Sequence, residues 1–276
     1  MIITYDIHTL VPYINWTYFF FAWQVKDPDE KVRLRQEAET LLEKWDDHYH
    51  AYGLFELFAA YADGDDIVVY SGKGEAENGK RIPCLRQQIG EPPYLCLSDF
   101  ISPQCKSSSF NHPLSSRIGV FATSVDIGLE TDFDADPFQK MMAQLLADRL
   151  AEAASERMHE QVRKEFWGYA KDEQLPIPEM LIEKFQGIRP AVGYPSLPDT
   201  SLNFVLDELI GMKQIGIRLT ESGAMKPHAS VSGLMLAHPQ ARYFNLGKIG
   251  EDQLLDYALR RGLPAEVCRK FLAANL

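Results

Sequence analysis

The sequence predicts an α+β fold with a largely antiparallel sheet and one long central helix. Strand-like runs come in pairs and series, whereas in a doubly wound sheet they would alternate one by one with helices. In the middle of the chain, residues 137–170 carry apolar side chains at steps of three and four, the spacing of an amphipathic helix. Because no linker rich in proline and glycine divides the chain, we expect a single domain spanning residues 1–276.

The first half of the chain is predicted to contain two helices and then a hairpin. A short, mostly buried helix is expected at 12–23, and Asp27 is a candidate N-cap for a polar helix that buries Leu34 and Ala38. Turn-forming residues at 62–65 separate two β-rich runs. The strands expected in this half are 54–61, 66–70, 94–97 and 118–125.

The second half is predicted to begin with the long helix. Its expected apolar spine is Phe138, Met141, Met142, Leu145, Leu146, Leu150, Ala154, Met158, Val162 and Phe166. The remaining predicted elements are a helix near 202–212, strands at 216–220, 231–237 and 241–246, and helices at 251–261 and 264–273.

Charge and cysteine usage exclude several classes of protein. The 39 acidic and 28 basic residues give a formal net charge of -11, which repels a phosphate backbone, so we expect no nucleic-acid partner. The four cysteines have no Cys-x-x-Cys spacing and indicate thiols in a reducing compartment. The apolar N-terminus is interrupted at Pro12, Asn15 and Gln24 and lacks a signal-peptide pattern. We therefore expect a cytoplasmic protein without a membrane span.

Two near-matches to functional motifs fail on spacing. Asp6-Ile-His8 begins like the Asp-x-His-x-x-Gly signature by which corrinoid domains present a histidine to cobalt, but the glycine is absent. Residues 71–74, Ser-Gly-Lys-Gly, are wrongly spaced for a phosphate-binding loop and are interpreted as a hairpin loop. Since spacing assembles neither a catalytic triad nor a set of metal ligands, we expect neither a catalytic residue nor a metal site.

The most informative stretch is Gly-Ile-Arg-Pro-Ala-Val-Gly-Tyr-Pro at 187–195. Its prolines and glycines dictate an extended, non-helical backbone, and Gly193 permits a positive φ. Such a loop presents Arg189, whose planar fork suits a ligand carboxylate, and Tyr194, which could stack on a base or face a sulfonium. A structural loop with Arg189 in an internal ion pair remains the alternative.

Acidic side chains also recur along the long helix. Asp148, Glu152, Glu156 and His159 follow one another at steps of three and four, and so share one side of it. Most such stripes are solvated surfaces. If this one lines a cleft, a carboxylate could hold a ligand amino group.

Several longer runs, in order along the chain, carry a family resemblance. They are INWT at 14–17, LRQQ at 85–88, ADRLAEA at 147–153, HEQVRK at 159–164, FWGYA at 166–170, GIRPAVGYP at 187–195, LTES at 219–222, ASVSG at 229–233, AHP at 237–239, ARYF at 241–244 and LAANL at 272–276. With these runs, nearly the whole chain resembles the activation domain of cobalamin-dependent methionine synthase.

The resemblance implies a curved α+β domain that binds S-adenosylmethionine in a surface cleft. It further implies that cobalamin is reached only through a partner, a cobalamin-binding methionine synthase chain, with a flavodoxin-type protein as electron donor. The implied function is to support reductive methylation of cob(II)alamin on that separate chain. The protein would thus be part of a methyltransferase activity in methionine biosynthesis without being catalytic alone.

Carried over motif by motif, the resemblance also implies particular binding residues. The expected S-adenosylmethionine contacts are Asn15, Glu152, Glu183, Arg189, Ala191, Gly193, Tyr194 and Tyr243, with Arg189 on the methionyl carboxylate. The residues expected to face the corrin or the partner are Met225, Lys226, Pro227, His228, Ala229 and Ser230.

The sequence departs from the family pattern at both places. Asn15 stands where the family has aspartate, and the lost charge weakens the hold on the ligand ammonium by roughly 1 kcal/mol. Lys226 and His228 replace an aromatic residue and a glycine of the family motif. These changes motivate an alternative hypothesis, an S-adenosylmethionine-binding regulatory or scaffold module that has lost reactivation.

Overall fold

The fold was analysed in a computed structural model that describes residues 1–70, 79–103 and 116–276. The loop predicted at 71–74, together with Cys105 and His112, lies outside these ranges.

The described chain contains eight strands, several of them very short. Their bounds are β1 Ile2–Asp6, β2 His50–Asp63, β3 Asp66–Tyr70, β4 Lys80–Pro83, β5 Arg117–Val125, β6 Arg218–Leu219, β7 Met225–Lys226 and β8 Ser230–Met235.

Nine α-helices accompany these strands in the described ranges. Their bounds are α1 Ile7–Leu10, α2 Trp16–Ala22, α3 Pro28–Trp45, α4 Gly128–Thr131, α5 Pro137–Gln161, α6 Ile177–Met180, α7 Leu202–Ile210, α8 Glu251–Arg261 and α9 Ala265–Phe271. A π-helical turn, Val162–Phe166, continues α5.

The main sheet has the strand order β4-β3-β2-β5-β8, and β1 also pairs with β2. β1 runs antiparallel to the start of β2, from Ile2 opposite Leu54 to Asp6 opposite His50. β2 and β3 form the predicted hairpin, which closes at Asp63 opposite Asp66, and β4 adds to β3 in the antiparallel sense. The predicted α+β class, with a largely antiparallel sheet and a long central helix, is confirmed.

The chain divides into two compact units. The first unit comprises residues 1–55, 122–185 and 211–231, and the second comprises 56–121, 186–210 and 232–276. The long helix α5 therefore belongs to the first unit and the segment 187–198 to the second.

In the first unit, α5 supplies much of the core. Asp136 caps its N-terminus, because its carboxylate accepts hydrogen bonds from the Phe138 and Gln139 N–H groups at 2.8 and 3.2 Å. One side of the helix is buried along Met142, Leu146, Leu150, Ala154 and Met158.

Three members of the predicted spine, all near its ends, are not core residues. Phe138, Met141 and Phe166 are 50, 41 and 37 % exposed, since apolar periodicity predicts a face but not where the covering elements stop. The exposed Phe138 ring lies 5.5 Å from that of Trp23.

In the second unit, the end of β2 and the strands β3 and β4 enclose buried side chains, among them Phe58, Ile67, Val69 and Ile82. The helices α7 and α8 contribute Leu206, Ile210, Leu254 and Tyr257, each at most 4 % exposed.

Several sequence predictions about single elements were wrong. The predicted strand at 94–97 is not formed. Instead Leu97–Phe100 makes a 3-10 turn, because the Asp99 carboxylate accepts the Cys96 N–H at 2.8 Å. The helix expected at 12–23 begins only at Trp16, since Asn15 is extended and its side chain accepts the Thr17 N–H at 3.2 Å. β1 and β4 were not predicted, and 241–246 is not a strand.

Candidate functional site

The segment 187–198, called the proline loop below, lies along β8 in the second unit. Ile188 and Leu236 exchange two backbone hydrogen bonds of 2.9 Å. Leu234 donates to the Pro190 carbonyl at 3.0 Å, and Val192 donates to the Ser232 carbonyl at 2.9 Å. These backbone bonds fix the path of the loop along β8.

Gly233 makes this close approach possible. A Cβ atom at that position would lie 2.2 Å from the Pro190 carbonyl oxygen and 2.8 Å from Ala191 Cα. Both neighbours are backbone atoms that cannot rotate away. The glycine of the ASVSG run is therefore required by the packing of the loop on β8.

The second half of the proline loop is a tight turn. Gly193, with φ +90°, donates its N–H to the Leu197 carbonyl at 2.8 Å, and Leu197 donates back to the Tyr194 carbonyl at 2.8 Å. Ser196 and Leu197 are buried, whereas Tyr194 is 53 % exposed. The turn thus presents the Tyr194 ring outward on a buried base.

Arg189 is held at both its backbone and its side chain. Its N–H donates to the Tyr243 hydroxyl at 2.9 Å, which brings together two of the predicted ligand residues. Its guanidinium lies over the Phe121 ring, 5.7 Å from the ring centre, a cation–π contact that orients the planar fork. Ala191, also predicted, is buried between these contacts and β8.

Asn15 and Glu152, two other predicted residues, lie in the first unit. The Asn15 side chain caps α2. Glu152 forms a bidentate ion pair with Arg149, at 2.8 and 3.2 Å, and Arg149 in turn lies 5.9 Å from the centre of the Tyr18 ring on α2. Both residues are therefore part of the same α2–α5 packing.

Glu183, the remaining predicted residue of the first unit, has an unusual backbone. It is an exposed residue with φ +61°, a left-handed conformation that costs a residue with a Cβ atom about 1 kcal/mol. This conformation closes the turn that follows α6, where the Glu183 N–H donates to the Met180 carbonyl at 2.8 Å and the Lys184 N–H donates to the Glu179 carbonyl at 3.2 Å.

A buried cluster, absent from the sequence prediction, holds the segment that leads to Glu183. Arg163, only 1 % exposed, pairs with Glu173 at 2.6 Å and stacks on the Phe185 ring at 4.1 Å. His159, assigned by sequence to the polar side of α5, is fully buried with its ring 5.0 Å from that of Phe185. Helical spacing alone could not reveal that Phe185 covers this position.

The segment 225–230, called the 225–230 turn below, begins in strand β7, where Met225 and Lys226 pair with Leu219 and Arg218 of β6, and side chains hold the residues that follow. The Ala229 N–H donates to the Glu130 carboxylate at 3.1 Å, and the Ser230 hydroxyl donates to the Pro227 carbonyl at 2.8 Å. His228 is highly exposed, with Nδ1 3.6 Å from the Asp148 carboxylate. Burial raises the pKa of Asp148, and the adjacent His228 and Arg149 oppose that rise.

The described residues offer neither a metal site nor a membrane segment. In the ranges 1–70, 79–103 and 116–276, no group of three histidine, cysteine, aspartate or glutamate side chains could hold a metal ion. Over the same ranges, no helix combines the length and the apolar character needed to cross a bilayer.

The fold and the proline loop have a counterpart among solved structures. The chain is similar, over 100 % of its own length and 90 % of the other chain, to the crystal structure of the MetH reactivation domain bound to AdoHcy, with a TM-score of 0.90 and 36 % sequence identity. The class of protein is thus that of a reactivation domain.

A comparison of the sequence with models of protein families identifies the family within this class. The model of the vitamin B12 dependent methionine synthase activation domain matches residues 6–262. The chain belongs to this family, as the sequence resemblance predicted.

Proposed function

We propose that this chain binds S-adenosylmethionine and supports reductive methylation of cob(II)alamin on a separate cobalamin-dependent methionine synthase chain. The observation that carries the proposal is the proline loop. Its backbone is pinned along β8, and it presents Arg189 and Tyr194 from a rigid base. Family membership and the likeness to a reactivation domain solved with AdoHcy support it.

The residues of the proline loop fit the amino-acid end of such a ligand. A guanidinium oriented by an aromatic face binds a carboxylate through two parallel hydrogen bonds. We assign this role to Arg189. Tyr194 is exposed beside Gly193, which has no side chain to obstruct a ligand, and we assign Tyr194 to the adenosyl or sulfonium part.

In the first unit, we assign polar contacts with the ligand to Asn15, Glu152 and Glu183. Asn15 and Glu152 already have protein partners, Thr17 and Arg149. A carboxamide or carboxylate oxygen accepts more than one hydrogen bond, so a ligand ammonium could be added without breaking these contacts. The affinity contributed by each would be smaller than that contributed by Arg189.

When bound, S-adenosylmethionine supplies an electrophilic methyl group on its sulfonium. The residues of this chain bind the ligand and hold it in one orientation, which lowers the entropic cost of the transfer. In this proposal the corrinoid comes from the partner chain, the 225–230 turn faces it, and a flavodoxin-type protein supplies the electron.

Ligand binding can be tested by calorimetry with AdoHcy. The Arg189→Ala variant should bind at least about 30-fold more weakly, because a charge-assisted bidentate contact is lost. Arg242→Ala removes the same charge from an exposed position of the same unit and should bind like the wild type. Equal affinities of wild type and Arg189→Ala would exclude Arg189 from the site.

Reactivation requires a second experiment. A cobalamin-binding methionine synthase chain lacking its own activation domain is loaded with cob(II)alamin and mixed with reductant and S-adenosylmethionine. Methylcobalamin, followed by its absorbance, should form faster when this chain is added. The same rate with and without the chain would sink the reactivation role while leaving ligand binding intact.

The 225–230 turn favours a second candidate function, a regulatory or scaffold module that binds the ligand without reactivating. Lys226 and His228 are both exposed on this turn, where the family has an aromatic residue and a glycine. If this candidate is correct, the wild type binds AdoHcy but does not reactivate. The double variant Lys226→Trp, His228→Gly should then regain methylcobalamin formation.

A further inference from the structure

Asp199, the residue directly after the proline loop, is a carboxylate inside the protein. It is 1 % exposed and accepts three hydrogen bonds. The Ser201 N–H donates at 2.8 Å, the Tyr257 hydroxyl at 2.7 Å and Arg261 Nε at 3.3 Å. A buried charge is tolerated only when it is paired and hydrogen-bonded in this way.

The donors come from α8 and from Ser201, the residue directly before α7. Tyr257 is 1 % exposed, and both burial and the Asp199 carboxylate raise the pKa of its hydroxyl well above the usual value, so it remains a donor at every physiological pH. Arg261, the last residue of α8, also donates from Nη2 to the Ser201 hydroxyl at 2.7 Å. We call Asp199, Ser201, Tyr257 and Arg261 the Asp199 cluster.

The Asp199 cluster adjoins the exposed turn of the proline loop. Leu197 closes that turn on Gly193 and Tyr194, and only Pro198 separates it from Asp199. Asn203, a little further on, lies 2.5 Å from the Ser232 hydroxyl, while the Ser232 carbonyl accepts the Val192 N–H. After Leu197 the chain is therefore anchored by the side chains of the Asp199 cluster. Before Gly193 it is anchored by backbone bonds to β8.

We propose that the Asp199 cluster positions the turn formed by Gly193, Tyr194 and Leu197 for ligand binding. Tyr257 and Arg261 act as positioning residues that never touch the ligand. This inference rests on the proposed function. Without the Tyr257 hydroxyl, Asp199 loses the shortest of its three hydrogen bonds, so we expect Asp199 and the adjacent end of the turn to shift. A shift at Leu197 moves Tyr194, since the two are joined by a hydrogen bond.

The test is a double-mutant cycle for AdoHcy affinity, using Tyr257→Phe and Tyr194→Ala. Tyr257→Phe alone should weaken binding roughly three- to tenfold, the range expected for one lost hydrogen bond. In the Tyr194→Ala background the same substitution should change affinity less than about twofold, because the group being positioned is gone. Tyr49→Phe, which removes a hydroxyl bonded to Asp132 at 2.9 Å in the first unit, should bind like the wild type.

A merely structural role would give a different pattern. If Tyr257→Phe lowers affinity by the same factor in both backgrounds, the cluster does not act through Tyr194 and the proposal is overturned. Unchanged affinity in the single variant overturns it as well. If wild-type protein binds no AdoHcy, the proposed function fails first, and this role falls with it.

A milder substitution serves if Tyr257→Phe does not fold. Ser201→Ala removes the acceptor of Arg261 Nη2 but keeps the backbone N–H that donates to Asp199. It should weaken binding by about two- to threefold in the wild type, and not at all in the Tyr194→Ala background. Equal losses in both backgrounds would again overturn the proposal.

Discussion

The proline loop and the 225–230 turn are both short and interrupted by proline, yet different bonds hold them in place. Backbone hydrogen bonds to β8 hold the proline loop at Ile188, Pro190 and Val192. The 225–230 turn pairs with β6 at Met225 and Lys226, and beyond this short ladder Ala229 and His228 contact two acidic side chains of the first unit, Glu130 and Asp148. A segment fixed by backbone tolerates changes in its own side chains, whereas one fixed by side chains can be altered by single substitutions and by pH.

The largest effect should come from breaking the backbone packing of the proline loop. Gly233→Ala places a Cβ atom against the Pro190 carbonyl and Ala191. Overpacking of this kind typically costs about 2–3 kcal/mol of unfolding free energy, measured by urea denaturation, and AdoHcy affinity should fall with it.

Gly64→Ala is the control for this prediction. Gly64 has φ +60° but no atom within 4 Å of an added Cβ, so only the conformational cost of about 1 kcal/mol is expected. If both variants lose the same free energy, contact with the loop is not the reason for Gly233.

A smaller effect is expected at Glu183, four residues before the proline loop. Glu183→Gly relieves the left-handed backbone and should raise the unfolding free energy by up to about 1 kcal/mol, while AdoHcy affinity falls roughly five- to tenfold. Gln24→Gly, at φ +55°, should gain stability without losing affinity. Retained affinity in Glu183→Gly would remove this carboxylate from the site.

The smallest effect concerns pH and the 225–230 turn. Because burial raises the pKa of Asp148, its ionisation destabilises the fold as pH rises through that raised value. Asp148→Asn should therefore be more stable than wild type at pH 7, on the order of 0.5 kcal/mol, and equal to it at pH 3.

Thermal unfolding at the two pH values measures this difference, with Asp47→Asn at an exposed position as the control. A loss of stability at pH 7 would mean that the contact of Asp148 with His228 outweighs its burial. In that case the contact between Asp148 and His228 stabilises the 225–230 turn.

Elements that depend on their own local sequence could be predicted, whereas elements that depend on distant partners could not. Helix α5 and the hairpin of β2 and β3 follow from local periodicity and turn residues, and both are confirmed. β1 and β4 are short edge elements whose strand character comes from their partners, Leu54 and Ile67 among others, so local patterns do not reveal them.

In the candidate site, too, local features were predicted and long-range contacts were missed. Glycine and proline spacing predicted the rigid proline loop, but not its pairing with β8. Asp199 was passed over, because its partner Tyr257 lies 58 residues away in sequence and local patterns carry no sign of the contact. The burial of His159 and Arg163 depends on Phe185, which is distant from both in sequence, so no local pattern carries that information.

One hydrogen bond of the proline loop can be followed by hydrogen–deuterium exchange. Val192, unlike Pro190 and Pro195 of the same loop, has an amide hydrogen that can exchange with solvent. Here the Val192 N–H is bonded to Ser232, so its deuterium uptake records how often the loop lifts from β8. Slower uptake in the presence of AdoHcy would show, at a single atom, that the loop opens less often when AdoHcy is present.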